Sequence, residues 1–377
     1  MNERIRALQP YPMVELARRK QELEDAGVRV LDFGTGDPVE PTDPKIRAAM
    51  IEAVPEISQY PTVQGIPELR EAAAAFFARR FGVQLDPETE LLPSRGSKEA
   101  MFHLPLALID PSCEPRLVVH PVPGYPVMEI GSLYANAETH AVPLHAGNRY
   151  LMRPEDVPVA VLERAAIVWL NYPHNPTGTD LPAELWHAWV QAREEHGFVL
   201  CSDECYTELW FGEKPRSVLE FGRAGCLAFH SLSKRSGMTG YRSGMIAGDA
   251  ALIAQYRKSR AAMGQALPIM EQRASVAAWS DEEHVRARRE VFAEKRRIVA
   301  TGLAELGLEI WPSTSTFYLW LRAPGGDGAA YARKLLDRGI VVSPGSMFGD
   351  GNAAFLRLAL VPDLDGCREA LERWRSL

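Results

Sequence analysis

Through the middle of the chain, short continuous apolar runs alternate with longer amphipathic stretches. That alternation is the signature of an α/β sheet carrying helices on its faces. It predicts strands at 116–120, 166–170, 198–202, 227–230 and 244–248, and helices at 98–109, 182–196 and 250–263. From about residue 282 the pattern changes. A long charged helix over 282–306 is followed by strand-like segments at 317–321 and 355–360, which fits a second, smaller α+β domain. The expected division is a large domain over 40–282 and a small one built from 1–39 with 283–377. Polar clusters fall just after several predicted strands, where open α/β sheets bind ligands beyond the carboxyl ends of their strands.

Composition narrows the function classes. The chain has 377 residues, 46% of them hydrophobic, enough to bury a large core. Its 42 Lys+Arg against 49 Asp+Glu leave a net charge of -7, so nothing electrostatic points to nucleic acid. The densest basic run, 286–297, is interleaved with Glu290 and Glu294 and reads as the solvated face of a helix. The start, Met1-Asn2-Glu3-Arg4-Ile5-Arg6, lacks a signal-peptide core, and no segment approaches the ~20 apolar residues of a membrane span. Five cysteines without a C-x-x-C pair fit a reduced, cytoplasmic protein. Cys201 and Cys205 beside Asp203 raise the thought of a metal site, but their apolar neighbours favour buried structural thiols, and no metal is expected.

The candidate chemistry centres on Lys234, in His230-Ser231-Leu232-Ser233-Lys234-Arg235-Ser236-Gly237-Met238-Thr239-Gly240-Tyr241-Arg242. Two hydroxyls before a lysine and an arginine eight residues after it are what pyridoxal phosphate needs: an amine for the aldehyde, and donors for the phosphate. Gly96-Ser97, opening a helix, offers an anion pocket at the positive end of a helix dipole, or equally an ordinary cap turn. Tyr125, in Pro123-Gly124-Tyr125-Pro126, either stacks on a flat ring or simply packs. In Asn171-Tyr172-Pro173-His174-Asn175-Pro176-Thr177-Gly178 the prolines and glycine lock a loop that aims Asn175, while His174 reads as a loop histidine. Asp203, at a strand end in apolar surroundings, needs a cation such as a protonated ring nitrogen, unless it only caps. Tyr206 follows three residues on. No Gly-x-Gly-x-x-Gly follows a strand, which argues against a nicotinamide dehydrogenase.

Gly-Ser, Asn-Pro-x-Gly, Asp-x-x-Tyr and Ser-x-Ser-Lys-(x)7-Arg occur in this order, at intervals of about 80, 28 and 31 residues. Together they resemble the aspartate aminotransferase superfamily, the fold-type I pyridoxal-phosphate enzymes of aminotransferase class I/II, from about Asp32 to Pro362. The resemblance implies a mostly parallel seven-stranded sheet in the large domain and a homodimer with shared active sites. It implies Lys234 as the lysine that holds the cofactor and shuttles the proton, Asp203 as partner of the pyridine nitrogen, and Asn175 and Tyr206 as partners of the phenolic oxygen. Tyr125 would stack on the ring. Gly96, Ser97, Lys98, Ser231, Ser233 and Arg242 would surround the phosphate end, with Tyr60 reaching the neighbouring subunit's phosphate. Arg357, in Phe355-Leu356-Arg357-Leu358-Ala359, would bind the substrate α-carboxylate, and Gly36 would close over the substrate.

Within the superfamily the segments 94–100, 171–176, 231–242 and 343–349 are most similar to succinyldiaminopimelate aminotransferases of lysine and cell-wall biosynthesis. That likeness implies exchange of an amino group between N-succinyl-LL-diaminopimelate and 2-oxoglutarate, with Lys98 or Arg95 meeting distal carboxylates. Lys98 reads equally well as a solvated first-turn residue. The alternatives are an aspartate-type or broad aminotransferase, an LL-diaminopimelate aminotransferase, a C–S lyase and, remotely, a cofactor-sensing regulator.

Overall fold

The computed structural model describes residues 12–377; of the expected small-domain segment 1–39, residues 1–11 lie outside the described residues. Seven strands form the larger sheet: β2 (Leu91–Ser94), β3 (Leu117–Val122), β4 (Glu138–Pro143), β5 (Ala165–Asn171), β6 (Val199–Asp203), β7 (Cys226–Ser231) and β8 (Gly244–Gly248). Their order is β2-β8-β7-β6-β5-β3-β4, and only β8 runs against its neighbours. β5 to β7 are apolar nearly throughout because helices cover both faces, as parallel sheets require.

The strand ends extend past the apolar runs to Asn171, Asp203 and Ser231, one residue beyond the sequence expectation in each case. Ladder hydrogen bonds come from the backbone and continue under polar side chains, so hydrophobicity fades before the strand does. β4 and the four-residue β2 lie at the two edges of the sheet, and β4 has the alternating exposure of an edge. Neither has an apolar run that stands out in the sequence.

Four strands form the second sheet, in the order β1 (Leu31–Phe33), β10 (Ile340–Pro344), β11 (Phe355–Ala359) and β9 (Tyr318–Arg322). β1 pairs in parallel with β10, which brings residues near 31–37 beside residues three hundred positions later. The 23-residue helix Glu283–Glu305 packs on helix Leu364–Arg375. Its basic run is not simply a solvated face. Arg286 and Arg297 are exposed and pair with Glu290 and Glu294, but Arg288 and Lys295 are buried. Lys295 bonds Glu40, and Arg296 donates to Ser313 and to the Tyr318 carbonyl. The helix is covered on more than one side, and its long cations become struts between segments. Among the described residues no helix is long and apolar enough to cross a membrane.

Candidate active site

Parallel pairing sets Asn171 opposite Asp203 and Asp203 opposite Phe229, so the ends of β5, β6 and β7 present one row of polar groups. Beyond that row lies a cavity of about 450 Å3 lined by Ser97, Lys98, Tyr125, Asn175, Asp203, Tyr206, Ser231, Ser233, Lys234 and Arg242. Gly36 and Arg357 reach it from the four-stranded sheet. Sequence reasoning therefore names most of the wall. Two expected residues lie outside it. Gly96 stands just behind Arg242, and the Tyr60 ring is fully exposed at 101% of its reference area.

Asp203 is buried. Its Oδ2 accepts from Asn171 Nδ2 at 3.0 Å and its Oδ1 from the Cys205 N–H at 3.3 Å. The local bond to Cys205 is the capping contact weighed from the sequence, and it does not supply a cation. Burial pushes the Asp203 carboxyl up to about 6. A carboxylate so placed gains from a protonated ring nitrogen, which fits pyridoxal phosphate. Next to it Glu204 turns into the core and bonds His230 at 2.9 Å, so two adjacent acids have separate fates.

Lys234 follows β7 in the short helix Leu232–Arg235, where Ser231 Oγ caps the Ser233 N–H. Its Nζ donates to the Gly36 carbonyl. Burial lowers its pKa to about 8 despite the opposing field of Asp37, which makes the amine a far better nucleophile and base at neutral pH than an exposed lysine.

The phosphate end fits as well. Helix Ser97–Leu108 begins at the cavity with its N–H groups open, and Gly96 before it has φ +80°. A Cβ on Gly96 would lie 2.6 Å from Arg242 Nη2, so only glycine lets the guanidinium approach the helix end. Arg242 donates to the Thr239 carbonyl at 2.8 Å and has no carboxylate partner among the described residues.

Arg357 is held from three sides. Nη1 donates to Asn175 Oδ1 at 3.1 Å, Nη2 to the Gly34 carbonyl at 2.7 Å, and Ser343 Oγ lies 3.5 Å away. The guanidinium lies 4.4 Å from the Tyr318 ring and 4.7 Å from the Phe348 ring. Among the described residues no carboxylate pairs with it, and its Nε is buried without a partner. An orphaned donor on a fixed, buried fork matches an incoming carboxylate.

Three groups escaped the sequence reading. Tyr318 bonds Tyr206 hydroxyl to hydroxyl at 2.7 Å, and a Cβ on Gly36 would meet Tyr318 Oη at 2.7 Å. Burial holds the Tyr206 phenol well above its ordinary pKa, so its O–H persists. Cys205, expected to be a buried structural thiol, instead lines the cavity and donates to Ser97 Oγ at 3.0 Å. It lies just past the end of β6, where the chain leaves the sheet toward the cavity. Asp37 also lines the wall. Only the period-2 alternation past Asp203 hinted at Cys205; Tyr318 and Asp37 carried no motif. His174, by contrast, is a buried latch, bonded to Thr177 Oγ1 and the Pro123 carbonyl and pushed down to about 4 by burial.

The model of the family "Aminotransferase class I and II" matches residues 28–373. The chain is 38% identical to an LL-diaminopimelate aminotransferase of Aquifex aeolicus, over 100% of this chain and 98% of that protein. Among solved structures, substrate-bound BacF of Bacillus subtilis superimposes with a TM-score of 0.93 at 30% identity, covering 100% of this chain and 97% of that one. A double mutant of Thermus thermophilus aspartate aminotransferase gives 0.91 at 28%, covering 100% and 99%. With a lysine, a carboxylate and an anion cradle around one cavity, the chain belongs to aminotransferase class I and II and is a pyridoxal-phosphate-dependent aminotransferase.

Proposed function

We propose that this enzyme moves an amino group from a diaminopimelate-type donor to 2-oxoglutarate, in the lysine and cell-wall route of the cytoplasm. The observation that carries the reading is a second cation, Lys98, beyond the Arg357 clamp. Lys98 stands in the first turn of helix Ser97–Leu108, where the helix dipole disfavours a positive charge, and its Nζ lies 5.9 Å from the Tyr125 ring centroid. A substrate with a carboxylate at each end suits Arg357 and Lys98 together. The relatives named LL-diaminopimelate aminotransferase support the free diamino acid as donor. The likeness of the four sequence segments supports its N-succinyl form.

Pyridoxal phosphate, when bound, supplies the carbonyl that takes up the amino group and the ring that absorbs negative charge from the α-carbon. The residues proposed to hold it are Ser97, Ser231, Ser233 and Arg242 at the phosphate, with Gly96 giving them room, and Tyr125, Asn175, Asp203 and Tyr206 at the ring. Asp203 keeps a positive charge at the ring nitrogen. Lys234 Nζ takes the proton from the substrate α-carbon, helped by the apolar burial that lowers its pKa. Arg357 fixes the α-carboxylate so that the α-proton faces that amine. Gly36, beside Tyr318, closes the wall over the substrate.

We propose also that two copies assemble. The exposed Tyr60 ring then serves the second copy's phosphate, and exposed Ile51, Val54 and Ile57 near it become covered. The division into 40–282 and 1–39 with 283–377 belongs to the same reading, the cavity lying between the parts. A half-reaction panel tests the donor. Holo-enzyme is mixed with LL-diaminopimelate, its N-succinyl form, aspartate, glutamate and phenylalanine, and conversion of the bound cofactor to its amino form is followed by absorbance. Rapid conversion with a diaminopimelate form is expected. Conversion confined to aspartate or phenylalanine overturns the substrate.

A further inference from the structure

Apart from Asp203, Asp37 is the only carboxylate among the residues lining the cavity, and nothing described so far employs it. The other charges of the wall have duties: Arg357 an α-carboxylate, Arg242 a phosphate, Asp203 a ring cation, Lys98 a distal carboxylate. Asp37 is exposed to the cavity mouth and has no hydrogen bond or ion pair among the described residues. It lines the same cavity as Lys234, whose amine its negative charge favours in the protonated form. Pro38 restricts the backbone of residue 37 to extended conformations, and one methylene joins the carboxylate to that backbone. The negative charge is therefore held in place and does not swing on a long arm.

An acid on the wall of an anion-binding pocket works against dicarboxylates. Its repulsion of aspartate, glutamate or 2-oxoglutarate has to be offset by Lys98 and Arg357. It becomes favourable only if the substrate brings a positive charge to the same region. We propose that Asp37 binds the distal ammonium of the amino donor, so that the pocket selects a far end carrying a free amine over one whose amine is acylated. This deepens the diaminopimelate reading and rests on it: Lys98 takes the distal carboxylate, Asp37 the distal ammonium, and the acceptor, lacking the amine, uses Lys98 alone. Attraction and repulsion act together here, which is how binding sites gain discrimination.

The test compares wild type, Asp37→Asn and Asp37→Glu as holo-enzymes. Donors are paired by whether the distal amine is free or acylated: LL-diaminopimelate with its N-succinyl form, which also gains a carboxylate, and lysine with Nε-acetyl-lysine, which gains no charge. Glutamate is the dicarboxylate control. Wild type prefers the free amine in both pairs. Asp37→Asn lowers kcat/KM for the free amines about tenfold, mostly through KM, and raises it for glutamate, while Asp37→Glu restores the preference. A variant that lowers every donor alike and shifts the pH profile would mean that Asp37 serves Lys234 only, and the proposal falls. It falls too if wild type treats free and acylated amines equally. The lysine pair reads the ammonium without diaminopimelate. Preference there, with no turnover of either diaminopimelate form, would sink the substrate reading and leave the role of Asp37 standing.

Discussion

At the end of the cavity proposed for the cofactor the groups come from strand ends that neighbour one another in the larger sheet. Asn171, Asp203 and Ser231 close β5, β6 and β7, and Lys234 follows three residues later. At the end proposed for the substrate they come from Gly36, Tyr318, Ser343 and Arg357, far apart in the chain and joined only because β1, β10, β11 and β9 pair. The cofactor end is a set of local motifs repeated in a regular frame. The substrate end is a product of long-range pairing. The contrast suggests how an aminotransferase can keep one cofactor and change substrates: the two ends are built by separate parts of the chain.

That comparison can be broken by mutation. Lys234→Ala, on the cofactor side, is expected to lower turnover by about 10⁴-fold and to abolish the bound-cofactor absorbance; survival of both rejects the lysine. Arg357→Ala, on the substrate side, should lower kcat/KM by about 100-fold while the cofactor spectrum stays, as measured by steady-state kinetics on the coloured enzyme. Loss of colour in that variant would show that the two ends are not separable.

Asp203→Asn sharpens the contrast through stability. Between the ordinary carboxylate pKa of 3.8 and the raised value of about 6, the folded chain holds a proton that the unfolded chain has released. The contribution of this group is thus present at low pH and is lost as pH rises through about 6. At pH 7 the buried charge is a burden on the cofactor-free protein, and the asparagine variant should be more stable by about 1–2 kcal/mol in chemical denaturation, yet poorly active. Cofactor uptake by wild type should speed up about tenfold between pH 7 and 9, as Lys234 loses its proton near pH 8. A rate flat across that range counts against a burial-lowered amine. The smallest effect belongs to Tyr318→Phe, which removes the bond to Tyr206 and should lower kcat/KM by about 2–10-fold without moving the pH profile.

How much of this was legible follows the same divide. The Asn-Pro-x-Gly loop and the Ser-x-Ser-Lys segment could be read because prolines, glycines and hydroxyls constrain the backbone locally, and the structure brings both to one cavity. Tyr318 could not be read, since a tyrosine in an apolar strand looks like any core aromatic. Cys205 looked buried because its neighbours are apolar, but the chain leaves β6 there and the side chain faces the cavity. The basic helix misled for a related reason. Interleaved charges at helical spacing indicate solvent on an isolated helix, whereas Arg288 and Lys295 are covered by segments distant in sequence.

The sequence alone determined the sheet type and the order of the motifs, and singled out Lys234 as the amine to test, because those depend on periodicity, turn chemistry and side-chain reactivity within a few residues. Tertiary structure decided which wall each charge faces. It put the neighbouring acids Asp203 and Glu204 to different uses and left Arg357 with an unmet donor. It also lowered the pKa of Lys234 and brought Asp37 to the wall of the same cavity. These outcomes depend on burial and on partners brought together across the whole chain, and electrostatic energies grow as water is excluded.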